Sequence, residues 1–497
     1  MSTEIPGLYN EIDKEFRSAL SQAAEDEYVQ KPKALATLSK RRRQFIEMSK
    51  ANNQIARENL ARDSRKLVDQ YGISMLSAKD LILRAWDTES RLAEEGVIFG
   101  DTPFNFSLDR PTLTSDEAKQ VAQISQTTME AMAFLAQRNL DSDLGDSLPL
   151  NPVEQAFENL RLAPNAARLD FILTDNGPKL IEANLQWVDA IAAIEGFQKV
   201  YGKNKPSPTE ELAKTFPPGT RLAIINVNQN LDGSRSKGPA AELEMLATKL
   251  AMYENIKVCE VIDPDKTRIE YLEEFNRFYI NCDPRTFKYV FPDWIETVVK
   301  RVKQNGEAMF PAWRPRLDKK MFLATLCSPA LGLRTDMESS GVDLNTLRNG
   351  ICATRSLAGY VQDPEMQKIK KRLEEFTEQS LSTLGALQMI SKDSPFIIKG
   401  DGYSLNSVAL SNSPNFKDFR PAPNTTAYSY VIQPVLDGKR MDAWVFETSR
   451  KRVKFLKNAY TKLNVWYING KVVGMLSTLS DSPLISDKGY NAVPIIK

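Results

Sequence analysis

The stretch Arg168–Gln186, RLDFILTDNGPKLIEANLQ, decides how the rest of the chain is read. Two β-like runs, RLDFIL and KLIEAN, flank the turn signal Thr174-Asp175-Asn176-Gly177. Side chains alternate faces along a strand. Glu182 and Asn184 therefore share one face of the second strand, and Arg168 and Asp170 share one face of the first. Two descriptions fit this pattern. The four side chains are solvated decoration on a surface hairpin, or they are a floor of oxygen ligands beside a cation.

The bulk composition narrows the chemistry. The chain has 497 residues, 42% hydrophobic and 26% charged, with a net charge of +1. That is a globular composition with a sizeable core and room for roughly two to four domains. The charge balance calls for neither nucleic acid nor an anionic membrane as partner. No apolar run approaches the ~18 residues of a spanning helix. The opening MSTEIPGLYNEIDKEF lacks the apolar centre of a signal peptide, so a soluble, cytoplasmic protein is expected. Cys259, Cys282, Cys327 and Cys352 are too scattered for a disulfide framework or a CxxC zinc site and read as small buried hydrophobes. Histidine is absent altogether. This excludes His-based triads, His general acid–base schemes and His-ligated metals. An enzyme with this inventory works with carboxylates, Lys, Arg, backbone N–H groups and hard cations, the set used for phosphoryl chemistry on magnesium nucleotides.

Along the chain, residues 8–70 are charge-rich and read as long helices. SKRRRQ (Ser39–Gln44), within them, reads as a solvated helix face or an anion contact. Thr114–Glu117 is an N-cap signal before a helical run, and Asp141–Pro152 reads as a loop. AIAAIEGFQKVYG is helix-like, and Gly202–Thr220 has linker composition. Then RLAIINVN, IKVCEVI and NRFYINCD read as strands, with a helix over Ala240–Met252, a pattern that predicts a parallel α/β layer. Residues 330–394 read as mostly helical and the last hundred as β-rich. The expected division is a helical region over 1–110, a part carrying the hairpin over 111–210, an α/β part over 211–310, and a helical-then-β part over 311–497.

A second cluster asks for chemistry. In PFIIKGDGYSLNSVALS an apolar strand delivers Lys399 into Gly400-Asp401-Gly402-Tyr403-Ser404. Glycines beside a strand-end Lys let backbone N–H groups approach phosphate oxygens, although a plain Gly-rich hairpin turn has the same look. YVIQPVL, with Gln433, reads as a strand able to hold an adenine edge. RPRLDKKMFLATLCSP puts Lys319 and Lys320 at the start of an apolar helix.

In this order the motifs RLD, NGPKLIEAN, LDKK, IIKGDG and VIQP resemble the circularly permuted ATP-grasp ligases. The eukaryotic-type glutathione synthetases and their glutathionylspermidine-synthetase-like relatives are the nearest in pattern, over about residues 165 to 497. In ordinary ATP-grasp enzymes the Lys/Gly-rich lid precedes the metal-binding Glu-x-Asn; here Glu182 precedes Lys399. The resemblance implies a permuted ATP-grasp α/β fold with a helical N-terminal extension. It implies Glu182 and Asn184 as magnesium ligands, with Asp170 at the matching acidic position. It implies Arg168 and Lys399 as catalytic residues, and Lys319, Lys320, Lys399, Gly400, Gly402 and Gln433 around ATP. It also implies small-molecule carboxylate and amine substrates, and weakly a homodimer. Two departures stand out. The lid has Tyr403 where the family has a Glu within a glycine triplet, with Asp401 nearby. The family's Arg-x-Lys near the C-terminus is replaced by Ser477 and Thr478, with Lys488 further on. The expected function is an ATP-dependent carboxylate–amine ligase working through an acyl phosphate. A catalytically idle nucleotide-binding relative and a small-molecule kinase on the same scaffold are the alternatives.

Overall fold

The structure is a computed structural model describing residues 59–99, 102–138, 150, 152–185, 188, 190–202, 206–226, 240–281, 292–305, 309–318, 320–327, 331–356, 396–400, 408–410, 430–483 and 489–497. Its frame is a seven-stranded sheet in the order Arg440–Glu447, Phe106–Ser107, Tyr490–Ala492, Lys471–Ser480, Arg452–Ile468, Ala166–Thr174, Gly177–Asn184. Ala166–Thr174 and Gly177–Asn184 thus form the predicted hairpin at one edge of that sheet. Arg440–Glu447 also pairs with the first half of Arg452–Ile468, so the far side of the sheet curls back on itself around Ala443, Val445, Leu456, Ala459 and Leu479.

One face of the sheet is apolar because its alternate positions are. Leu169, Phe171, Leu173 and Leu180 from the hairpin, with Leu463 and Val465, share a core with Val121, Ile124 and Met132 of the helix Ser115–Ala136. That helix starts where the sequence says it should. Thr114 Oγ1 accepts from Glu117 N at 3.1 Å, and Glu117 Oε2 accepts from Thr114 N at 2.8 Å, a reciprocal capping box. On the opposite face Ala166 and Trp466 join a second core with the helix Ile191–Val200.

The predicted α/β layer is a four-stranded, wholly parallel sheet in the order Met309–Phe310, Arg277–Asn281, Thr220–Asn226, Ile256–Ile262. The helices Ala240–Ala251 and Pro292–Asn305 lie within its connections. A third sheet, in the order Arg355–Ser356, Tyr430–Pro434, Phe396–Gly400, Val408–Leu410, is antiparallel.

One expectation is corrected. Gly202–Thr220 is not simply a linker: Ser207 caps a short helix, Pro208–Ala213, whose Leu212 and Ala213 are buried in the second core. Pro208 suits the first helical turn, and its neighbour's hydroxyl accepts from Glu210 N at 3.1 Å. Composition alone hid this because a capped helix start and a linker use the same residue types. SKRRRQ and residues 357–394 lie outside the described residues. Among the described residues no helix is long and apolar enough to cross a membrane.

Candidate functional site

The hairpin is not a regular two-by-two ladder. Asp170 pairs with Glu182 and Phe171 with Leu180, leaving Ile181 as one extra residue, a β-bulge. Counting by twos from Leu180 would aim Glu182 and Asn184 into the Phe171 core. The extra residue resets the alternation, so both stand on the other face with Asp170 and Arg168, their register partners. The bulge also takes the Ile181 carbonyl out of the ladder. It accepts from Lys399 Nζ at 3.3 Å and from Gln433 Nε2 at 3.1 Å.

These two donors come from one face of the third sheet. Ile397 opposes Gln433 and Lys399 opposes Val431, so Lys399 and Gln433 are diagonal neighbours on adjacent strands. Gln433 also donates to Thr354 Oγ1 at 2.8 Å. Gly400 ends the Lys399 strand opposite Tyr430. A second anchor comes from the LDKK motif. Asp318 Oδ1 accepts from Leu185 N at 2.7 Å, fixing the residue after Asn184, and Lys320 opens the next helix.

Four cations therefore converge on two carboxylates. Glu182 has Lys320 at 3.9 Å and Lys399 at 4.0 Å; Asp170 has Lys462 at 3.1 Å and Arg168 Nε at 3.3 Å. Burial alone would push the Glu182 carboxyl up. The charges of Lys320, Lys399, Lys462 and Arg168 outweigh it and hold the group well below the usual carboxylate range. Lys399 shows the converse: burial lowers its ammonium, and Glu182 pulls it back up. Asp170 is 2% exposed and Asn184 6%, so a surface hairpin with a surface ion pair does not describe this end of the molecule.

Several buried polar atoms have no hydrogen-bond partner among the described residues, including Asp170 Oδ1 and the Asn184 carboxamide nitrogen. Orphaned buried groups cost about 1–3 kcal/mol each, and those in this cluster could be satisfied by the polar atoms of a ligand. Carboxamide oxygen and nitrogen are interchangeable by a flip, so Asn184 can present either. The donor set of one carboxylate and one carboxamide, with Asp170 Oδ1 behind them, suits a hard divalent cation whose remaining ligands are phosphate oxygens and water. Among the described residues no group of three or more His, Cys, Asp or Glu is arranged to hold a metal by itself.

Sequence reasoning missed a polar stripe beside this cluster. Lys462, Asn464, Thr478 and Asn491 lie on the Glu182 face of successive strands. Asn464 Nδ2 donates to Thr478 Oγ1 at 2.8 Å, and Thr478 Oγ1 donates to Asn491 Oδ1 at 3.0 Å. The signal was present: in YTKLNVWYI, Lys462 and Asn464 are polar at alternate positions of an otherwise apolar run, as Arg168 and Asp170 are in theirs. A second missed pair is Asn226 and Asn281, register partners that end adjacent parallel strands. Both are buried, with Asn226 Oδ1 and both Asn281 side-chain polar atoms unpartnered among the described residues. Two residues before Asn281, Tyr279 donates its hydroxyl to Val188 O at 2.7 Å, tying this strand to the chain leaving the hairpin. Lys319, Asp401, Gly402, Tyr403 and Lys488 lie outside the described residues.

No family model matches this chain, and no curated protein does. Among solved structures it is similar to a glutathione synthetase-like effector from Globodera pallida in its apo form. The TM-score is 0.53 at 11% identity, over 84% of this chain and 97% of that one. It also matches a provisionally assigned γ-glutamylcysteine synthetase from Methylobacillus flagellatus, with a TM-score of 0.33 at 13% identity, over 77% of this chain and 87% of that one. The second score is too low to indicate a common fold. The first establishes a mixed α/β, glutathione synthetase-like fold.

Proposed function

We propose that this chain is an ATP-dependent carboxylate–amine ligase with a circularly permuted ATP-grasp site, built on the glutathione synthetase-like fold. The observation that carries the reading is the convergence of Lys320, Lys399, Lys462 and Arg168 on the Glu182–Asn184 strand end from four separate segments of chain. A set of partly and fully buried cations around a hard-oxygen donor pair suits a polyphosphate with a divalent metal.

In this reading Lys399 and Lys320 neutralise nucleotide phosphates, and the Gly400 strand end lets backbone N–H groups approach them. Glu182 and Asn184 hold Mg²⁺, which when bound screens the phosphate charges and aligns them. Arg168 orients the carboxylate that is activated. Its oxygen attacks the terminal phosphorus of ATP, the bond from that phosphorus to the bridging oxygen breaks, and ADP leaves. The amine then attacks the acyl carbon, phosphate departs with the C–O bond, and the amine's spare proton passes to solvent. No step needs a protein nucleophile or a histidine. Asn226 and Asn281 stand at the carboxyl ends of parallel strands, where open α/β sheets receive ligands, and their neutral amides suit an amide-bearing substrate part.

The test is Mg-ATP turnover with pooled amino acids, γ-glutamyl dipeptides and polyamines, reading ADP and searching for condensation masses, with Glu182→Gln alongside. ADP tied to one carboxylate–amine pair, and lost in the variant, supports the ligase. ADP with a phosphorylated product and no amide supports the kinase instead. Absence of Mg-ATP binding removes the reading altogether.

A further inference from the structure

Lys462 has no assigned part in the chemistry above, and its surroundings are unusual for a structural lysine. Its side chain is 11% exposed, on the strand Arg452–Ile468 in the middle of the main sheet. An ammonium group has three N–H donors. Asp170 Oδ2, at 3.1 Å, is its one hydrogen-bond partner among the described residues. Asp170 is itself 2% exposed, with Arg168 at 3.3 Å, so two cations share one carboxylate. A lysine placed only to stabilise a sheet is normally matched or kept at the rim, because desolvating an ammonium is costly. Its strand-side neighbours are neutral: Ile172 on one side and Thr478 on the other. The Thr478 hydroxyl is spent on Asn464 and Asn491. Strand register places Lys462, Arg168 and Asp170 on the Glu182 face of the sheet, and Lys320 and Lys399 stand at 3.9 and 4.0 Å from Glu182.

We propose that Lys462 is a catalytic residue that binds the terminal phosphoryl group in transit, and that Asp170 is a positioning residue that holds the Lys462 ammonium and the Arg168 guanidinium toward it. This rests on the ligase reading of the same site. Asp170 fixes one N–H of Lys462 and leaves two for non-bridging phosphoryl oxygens, while Lys399, from the third sheet, and Lys320, from the start of its helix, meet the charge beside Glu182. The nucleotide's inner phosphates then belong to Lys399 and its terminal phosphate to Lys462.

The experiment is titration calorimetry of the full chain with Mg-ATP and with Mg-ADP. It compares wild type with Lys399→Met, Lys462→Met, Lys462→Arg and the Asp170→Asn/Lys462→Met pair. The double variant removes both charges, so it stays testable if Lys462→Met alone, which takes away one of the two cations on the buried Asp170, fails to fold. The expected result is that Lys399→Met weakens both nucleotides. Loss of the Lys462 ammonium, in the single or double variant, should weaken Mg-ATP about ten- to a hundredfold, the range of one charged hydrogen bond. Mg-ADP should hold within about threefold, and Lys462→Arg should keep most of the preference for ATP. Equal weakening of both nucleotides, or of neither, by Lys462→Met or the double variant while Lys399→Met behaves as stated overturns the role of Lys462 and leaves the ligase reading standing. A wild type that binds neither nucleotide overturns both.

Discussion

Two carboxylates in this molecule have nearly the same charged company and opposite uses. Glu195, on the helix Ile191–Val200, has Lys249 at 3.2 Å and Lys199 at 3.5 Å. It also accepts from Ser207 Oγ at 2.7 Å and from Thr209 N at 3.3 Å. Burial opposes ionisation there, and Lys249 with those hydrogen bonds overcomes it, bringing the carboxyl to about 2. Glu182 is held down as well, but purely by surrounding cations. It accepts no hydrogen bond among the described residues, and its two nearest ammonium groups stop at 3.9 and 4.0 Å. Glu195 is closed: every nearby donor is used to lock three helices together. Glu182 is open: the charges are gathered and the hydrogen bonds are left unmade, which on the proposed reading is room for a ligand. The number of ion pairs does not separate a structural carboxylate from a site carboxylate; the hydrogen bonds left unmade do.

The contrast can be broken by exchanging the consequences of the two substitutions. Glu182→Gln should lower turnover at least about a hundredfold, as removal of one charged partner at a phosphoryl-transfer centre does, beyond any stability it costs by leaving the buried Lys399 without its counter-charge. Glu195→Gln should leave the nucleotide site untouched. It should cost about 3 kcal/mol of folding stability by leaving Lys249 buried beside a neutral group, with Mg-ATP affinity unchanged. Calorimetric unfolding and nucleotide titration on both variants decide the matter; the opposite pairing of effects would dissolve the distinction.

Acid tests the Glu195 half of the contrast alone, since Glu182 is held low as well and is present in both proteins compared. The Glu195 carboxyl ionises near 2 in the folded chain against an ordinary 4.5, so it binds its proton less tightly when folded. Its contribution to stability is therefore complete above about pH 4.5 and disappears as pH falls toward about 2. Denaturant midpoints measured across that window should fall more steeply for wild type than for Glu195→Gln.

The smallest effect concerns the anchor of the third sheet. Thr354→Val removes the hydroxyl that accepts from Gln433 and should cost about 1 kcal/mol, with a modest rise in the KM for ATP. A large loss of turnover from Thr354→Val would show that the third sheet is held far more delicately than its two bonds to the Ile181 carbonyl suggest.

The hairpin, the capped helix after Thr114, the parallel layer and the late β-rich part were legible because each rests on local periodicity or turn chemistry. Glu182, Asn184, Arg168, Lys320 and Lys399 were legible as candidates because their residue types stand at strand or helix ends in an order that resembles a known site. Lys462 was not, because it sits mid-strand in an apolar run, and only the register with Asp170's strand and with Thr478 gives its side chain a meaning. Asn226 and Asn281 were hidden for the same reason: nothing in either segment announces that they will be neighbours. The bulge was the least visible. It follows from tertiary demand, the need for Leu180 to reach the core and Glu182 to avoid it.

That one surplus residue gives the hairpin something like a reading frame. Upstream of Ile181 the even-numbered positions of the second strand belong to the interior; downstream they belong to the site. Straightening the bulge without removing a residue, so that Asp170 paired with Ile181, would leave every site residue in the gene and turn Glu182 and Asn184 into the oil. Removing Ile181 outright would keep both on the site face and cost instead the carbonyl that accepts from Lys399 and Gln433. The arrangement at this strand end is therefore a matter of phase, set by one isoleucine.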